Sequence, residues 1–262
     1  MAPESMDILS IGLGFVLGFL VGMTGVGGGA LVAPALYVIL GLPYTQAVGT
    51  SLVYASFTKI FSFIQHLRQL NVKWNLAFAY GLGGIPAAIA GSELVHLAEP
   101  LTKRFFPLLM GFLLMGVSAM ILFESAFFHR ELVKPFSPDR FTRPGRLAVV
   151  GYMILVGGLV GMTSVGSGSL VILSLIYLFQ MPVRQMVGTD ITIAIFMIIP
   201  AGATHFLVGG VNSRTLVFLL LGALAGAVLG SKATMKVPDR ILKTTIACLI
   251  MVSSIATILK AW

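Results

Sequence analysis

The chain has 262 residues, of which 57% are hydrophobic and only 10% charged, with a mean hydropathy of +1.00. That is far too apolar for a soluble domain and places the protein in a bilayer. The net charge of +8 is spread over short segments between apolar runs, as topology signals are, so nucleic acid is not an expected partner. Cys248 is the single cysteine, which excludes an internal disulfide or a cysteine metal centre. No cofactor is expected.

The N-terminal "MAPESMD" carries Glu4 and Asp7 and no basic residue. That is the wrong sign for a secretory signal peptide, so the first segment is expected to stay in the mature protein. Apolar runs follow at roughly 8–22, 30–41, 46–66, 74–97 and 102–123, then at roughly 147–160, 169–180, 183–208, 214–231 and 241–260. None shows the alternation a membrane β-strand needs, so the expected fold is all-α and polytopic. Between the two sets lies "ESAFFHRELVKPFSPDRFTRPGR", polar and rich in proline. The expected organisation is a first repeat at 1–124, a linker at 125–146 and a second repeat at 147–262.

The halves align without a gap when each position is laid 139 positions further on. "VGMTGVGGGALV" (Val21 to Val32) meets "VGMTSVGSGSLV" (Val160 to Val171), Pro43 meets Pro182, "QAVGTS" (Gln46 to Ser51) meets "QMVGTD" (Gln185 to Asp190), and His66 meets His205. Two repeats joined by a linker are common in secondary transporters.

In each half the glycine string separates a piece of about 15 residues from one of about 12, each short for a full crossing. If each pair is a hairpin that enters and leaves on one side, three crossings follow and the second repeat is inverted. With the N-terminus outside, Arg68, Lys73, Arg184, Lys232, Lys236, Arg240, Lys243 and the linker cations then share one side, and only Lys103, Arg104, Arg214 and Lys260 lie on the other. Treating each pair as one broken span divides the cations almost evenly. The positive-inside rule therefore favours inverted repeats, a cytoplasmic linker and a periplasmic N-terminus in a bacterial inner membrane.

A turn within the membrane leaves backbone N–H and C=O groups that protein, water or a substrate must satisfy. Gly25, Gly27, Gly28 and Gly29 let a ligand approach the backbone, and the helix that follows presents the positive end of its dipole to an anion. Thr24, Thr163, Ser164, Ser167 and Ser169 add hydroxyls. Close helix packing by small residues is the competing reading. Thr50 and Thr189, in the repeated "VGT", could face the same cavity or bond back to their own helices.

Asp190, whose counterpart is the neutral Ser51, is an acid in an apolar run and could carry a proton, fix a hydrogen-bond network or sit near a helix start at the interface. His66 and His205 lie at the far ends of matching helices, expected near opposite surfaces and too far apart for one metal site. A gate or an interfacial histidine are the two readings for them. Lys59 could serve the substrate or snorkel to the cytosolic surface.

The glycine-rich string after the first segment, its repetition after the linker and the "VGTS"/"VGTD" elements resemble the sulfite exporter TauE/SafE family of membrane permeases. The resemblance covers essentially the whole chain. It implies export of sulfite or organosulfonates such as sulfoacetate, with uptake of sulfur compounds by some members. Gly27, Gly28, Gly29 and Thr50, with Gly166, Ser167, Gly168, Ser169 and Thr189, would then surround a small oxyanion; Thr24, Ser51 and Thr163 complete the substrate-binding set.

The expected function is export of such an anion by alternating access. An uptake permease for another sulfur-containing anion and an anion channel are the alternatives. An intramembrane serine hydrolase using Ser167 or Ser169 with His205 is disfavoured, because the first repeat has Gly28 and Ala30 at the corresponding places. Passive export is physically sufficient, and proton coupling through Asp190 is optional. The expected partners are the anion and the lipid bilayer, and the oligomeric state is left open.

Overall fold

The computed structural model describes residues 3–24, 29–98, 103–127, 143–179, 181–234 and 239–262. They form ten helices: α1 (Pro3–Thr24), α2 (Gly29–Val38), α3 (Tyr44–Arg68), α4 (Trp74–Leu97), α5 (Phe105–Phe127), α6 (Arg143–Thr163), α7 (Ser169–Leu178), α8 (Val183–Leu207), α9 (Ser213–Thr234) and α10 (Asp239–Ala261). No strand occurs among the described residues. Eight helices are long and apolar enough to cross a membrane, and α2 and α7, at 10 residues each, are not.

One expectation is corrected here. The helix before each string is not a short piece: α1 has 22 residues and α6 has 21, about 33 and 32 Å at 1.5 Å per residue. The apolar run underestimates α1 because its polar first turn is also helical. That turn is held by Asp7, which takes a two-pronged ion pair from Arg214 at the start of α9, with Nη2 to Oδ2 at 2.7 Å and Nε to Oδ1 at 2.9 Å.

Small residues bring backbones together in two matched seams. On α1, a Cβ at Gly18 or Gly22 would stand 2.4 or 2.5 Å from the carbonyl oxygens of Ala223 or Ala227 on α9. On α6, 139 positions later, a Cβ at Gly157 or Gly161 would stand 2.3 or 2.1 Å from those of Gly84 or Ala88 on α4. Glycines on the partner helices return the contact, Gly222 and Gly230 against α1 and Gly83 and Gly91 against α6. Apolar association in lipid has no hydrophobic drive, so close backbone approach of this kind is what holds such helices.

The long helices α3 and α8 pack together, as do α5 and α10. The core is a continuous apolar cluster that includes Leu36, Leu52, Tyr54, Tyr80, Met110, Met153, Val171, Ile193 and Met197.

The "VGT" elements lock the halves to each other. Thr50 Oγ1 accepts the backbone N–H of Asn212 in the loop before α9, and Thr189 Oγ1 accepts that of Lys73 in the loop before α4, both at 3.0 Å. The preceding glycines make room: a Cβ at Gly49 would stand 2.1 Å from the Gly210 carbonyl oxygen, and one at Gly188 would stand 2.4 Å from that of Asn71. Every member of one set lies 139 positions from its counterpart in the other.

Candidate functional site

The second glycine string turns sharply between α6 and α7. Ser164 and Gly166 sit at φ +62° and +101°, the left-handed region that glycine tolerates and serine adopts only when its surroundings hold it there. Thr163 does the holding: its hydroxyl donates to the Leu159 carbonyl at 2.6 Å and accepts the Val165 N–H at 3.1 Å. The start of α2 packs on this turn. A Cβ at Gly29 would meet the Ser164 carbonyl oxygen at 2.3 Å and its Oγ at 3.2 Å, so the end of the first string touches the second. Ser164 Oγ is buried and has no hydrogen-bond partner.

Beside this turn stands a pair of opposite charges. Lys59 of α3 and Asp190 of α8 are only 7% and 8% exposed. A Cβ built on Gly168 would lie 3.6 Å from Lys59 Nζ and 3.9 Å from Asp190 Oδ2. The two side chains thus approach one point from two sides, at the residue that precedes α7. No salt bridge joins Lys59 to Asp190, so the two face each other without closing into direct contact. Asp190 Oδ1 is buried and unpartnered.

The wall continues with hydroxyls. Tyr80 of α4 shares a 2.8 Å hydrogen bond with Ser174 of α7, and Tyr152 of α6 donates to the Leu170 carbonyl at 2.9 Å. Tyr80 lies close enough to Asp190 and Tyr152 to interact with both electrostatically.

The expected site residues divide accordingly. Ser167 is buried, Ser169 is half-buried, and both lie with Gly166 and Gly168 in the turn that meets Lys59 and Asp190. Lys59 does not reach the surface, so its snorkelling alternative is corrected: its position along α3 is near enough to the helix end, but its face points into the bundle. Thr50 and Thr189 are fully buried and already accept loop N–H groups, a partner that neither sequence reading weighs. Ser51 donates to its own helix, to the Val48 carbonyl at 2.9 Å. Gly27, Gly28 and the side chain of Thr24 lie outside the described residues.

His205, in the last turn of α8, is 0% exposed. Its Nε2 donates to the Gly161 carbonyl at 3.1 Å, so Nδ1 accepts from Nε2 of His96 at 2.9 Å. Both ring nitrogens are thereby engaged by groups other than Ser167 and Ser169. His96 escapes the repeat comparison because its counterpart, Met235, has no ring. His66 is half-buried near the end of α3, with Nδ1 unpartnered. Among the described residues no group of three metal-binding side chains gathers.

What this arrangement can do chemically is hold a small anion: a buried cation and a helix N-terminus converge at a turn with hydroxyls beside it. Comparison with known proteins points to a membrane transporter. The family model for the sulfite exporter TauE/SafE matches residues 10–257. The chain is 34% identical over 260 residues to a probable membrane transporter protein, YjnA, of Bacillus subtilis (strain 168), covering 97% of this chain and 100% of that protein. It is 26% identical over 232 residues to a second from the same organism, YdhB, covering 88% and 92%. A probable membrane transporter protein of Methanocaldococcus jannaschii is 26% identical over 190 residues, covering 70% of this chain and 66% of that protein. No solved structure matches the chain. With a family match over nearly its whole length, the chain belongs to the sulfite exporter TauE/SafE family, a family of membrane transporters.

Proposed function

We propose that the protein is a permease for a small sulfur oxyanion, sulfite or an organosulfonate, bound beside Gly168 and carried by alternating access. The observation that carries this reading is Lys59, a buried cation deep in an apolar bundle and directed at the turn before α7. A charge in that position is costly and is kept where it meets a substrate or ion. The anion's remaining oxygens would be met by Ser164, Ser167 and Ser169 and by the backbone at the start of α7, where the Leu170 and Ile172 N–H groups are already taken by the Gly166 and Gly168 carbonyls.

Two inverted repeats are part of the proposal, and several contacts support them. Asp7 pairs with Arg214, Arg104 stacks on Trp262 at 5.1 Å, and Lys260 bonds the Tyr37 carbonyl. The first ties the start of α1 to the start of α9, and the other two tie the end of α10 to the start of α5 and the end of α2. With α9 and α10 as antiparallel crossings, both groups fall at one end, and α1 with the short α2 would form the hairpin that inverts the second half. Lys73, with Arg184 five positions before Thr189, falls at the opposite end, which by the positive-inside rule is cytoplasmic.

The test is flux of radiolabelled sulfite in proteoliposomes at fixed voltage. The permease reading expects saturable flux, competition by sulfonates and acceleration by unlabelled substrate on the far side. Flux that never saturates makes the protein a channel, and the absence of sulfite and sulfonate flux from correctly inserted protein overturns the reading.

A further inference from the structure

The charge pair at Gly168 exists in only one half of the molecule. Counted 139 positions away, Lys59 corresponds to Ile198 and Asp190 to Ser51, while Gly168 corresponds to Gly29. The seams and the Thr50/Thr189 locks repeat, but the charges do not. Among the described residues Lys59 and Asp190 are thus a buried charged pair without a counterpart in the other repeat, and its two members have opposite signs. If binding an anion were its whole task, Lys59 alone would serve, and a carboxylate directed at the same point would only repel the substrate.

The groups that face Asp190 are few. Lys59 comes from α3 and Tyr80 from α4, with Tyr152 of α6 beside Tyr80 and Gly168 backbone in front. No hydrogen bond reaches Oδ1, although the atom is buried. A carboxylate held by a structural network would have that oxygen satisfied; this one has an open position for a proton.

Building on the anion-permease reading above, we propose that Asp190 is a proton-coupling residue and that the protein is a symporter carrying one proton with each sulfonate monoanion. In the empty site Lys59 ammonium and Asp190 carboxylate balance each other. When the anion arrives, Asp190 takes one proton from water and becomes the neutral acid, and the ammonium turns to the anion. The site is neutral in both states. Loading the anion without the proton would leave one net negative charge in a buried pocket, which low-dielectric surroundings disfavour. On the far side the anion and the proton leave together, so no net charge crosses.

Methanesulfonate tests this, because it is a monoanion that picks up no proton near neutral pH and any proton that moves belongs to the protein. Proteoliposomes clamped at zero voltage, with the outside one pH unit more acidic, are expected to accumulate labelled methanesulfonate about tenfold, the ratio one coupled proton sets. Imposing a voltage at equal pH is expected to drive no accumulation. Asp190→Asn fixes the acid in its neutral form. It is expected to lose the pH-driven accumulation while labelled and unlabelled anion still exchange, a split that a merely structural role would not produce. Asp190→Glu restores the accumulation.

Wild-type accumulation that follows voltage and ignores the pH gradient overturns the coupling and leaves the permease standing. Persistence of the pH-driven accumulation in Asp190→Asn overturns the assignment to this residue, and failure of Asp190→Asn and Asp190→Glu alike to exchange label makes Asp190 structural and overturns it too. Transport of sulfite without methanesulfonate overturns sulfonate symport, and transport of neither overturns the permease reading with it.

Discussion

Replacing Lys59 with Met, Asp190 with Asn, and both together measures whether these residues form the pair on which the site depends. Nζ and Oδ2 lie 3.6 and 3.9 Å from one point, and they are not in direct contact. Their separation therefore falls between about 4 and about 7.5 Å. At an effective dielectric of about 20, Coulomb's law gives roughly 2–4 kcal/mol over that range. Each single variant leaves a buried charge without its partner and is expected to destabilise by about 3–5 kcal/mol. The double variant removes both and is expected to cost about 2–4 kcal/mol less than the sum of the singles. Unfolding of detergent-solubilised protein at neutral pH, followed by tryptophan fluorescence, reads all four corners of the cycle. Single effects that add within about 0.5 kcal/mol would refute the reasoning, because residues that do not interact behave that way.

Other expectations concern the frame around the site. Gly161→Ala places a methyl 2.1 Å from the Ala88 carbonyl oxygen, whereas Gly151→Ala on the same helix meets nothing within 4 Å; the first is expected to cost about 1–3 kcal/mol by overpacking and the second to leave the unfolding midpoint unchanged. Thr50→Val and Thr189→Val each leave a loop N–H without its acceptor, with an expected loss of about 1–3 kcal/mol in the same assay. Similar losses in the two variants are expected, since the two bonds are equivalent. His205→Phe removes the link between α8, α6 and α4, and a comparable loss is expected, with His96→Phe no more damaging because it breaks only one of the two bonds.

The repeat, the spans and the two short helices are legible in the sequence because each is written in composition: apolar length, glycine strings and a shared register. The lengths of α1 and α6 are less so. Their polar first turns read as loop, yet Asp7 is drawn into helix by Arg214, more than two hundred positions away. Lys59 shows the limit of counting along a helix. Position gives depth, but whether a side chain snorkels or turns inward depends on which face packs, and the neighbours that decide it, Gly168 and Asp190, come from the other half of the chain. The threonines of "VGT" illustrate the same point. Their spacing shows that both halves need them, but not that each serves the loop of the opposite half. His96 carries no signal in the repeat at all, and its role exists only where α4 and α8 end side by side.

The most direct test of the central claim is equilibrium exchange of labelled sulfite across proteoliposomes holding wild-type protein, Lys59→Met or Gly168→Ala, with Gly151→Ala as the reference. Gly168→Ala makes only ordinary contacts, at 3.6 and 3.9 Å, so it keeps the fold while filling the point between the charges. If an anion binds there, both site variants lose exchange at least about tenfold, the effect of about 1.4 kcal/mol, while Gly151→Ala matches wild type. Exchange at the wild-type rate in correctly folded Lys59→Met and Gly168→Ala would place the anion elsewhere and contradict the account.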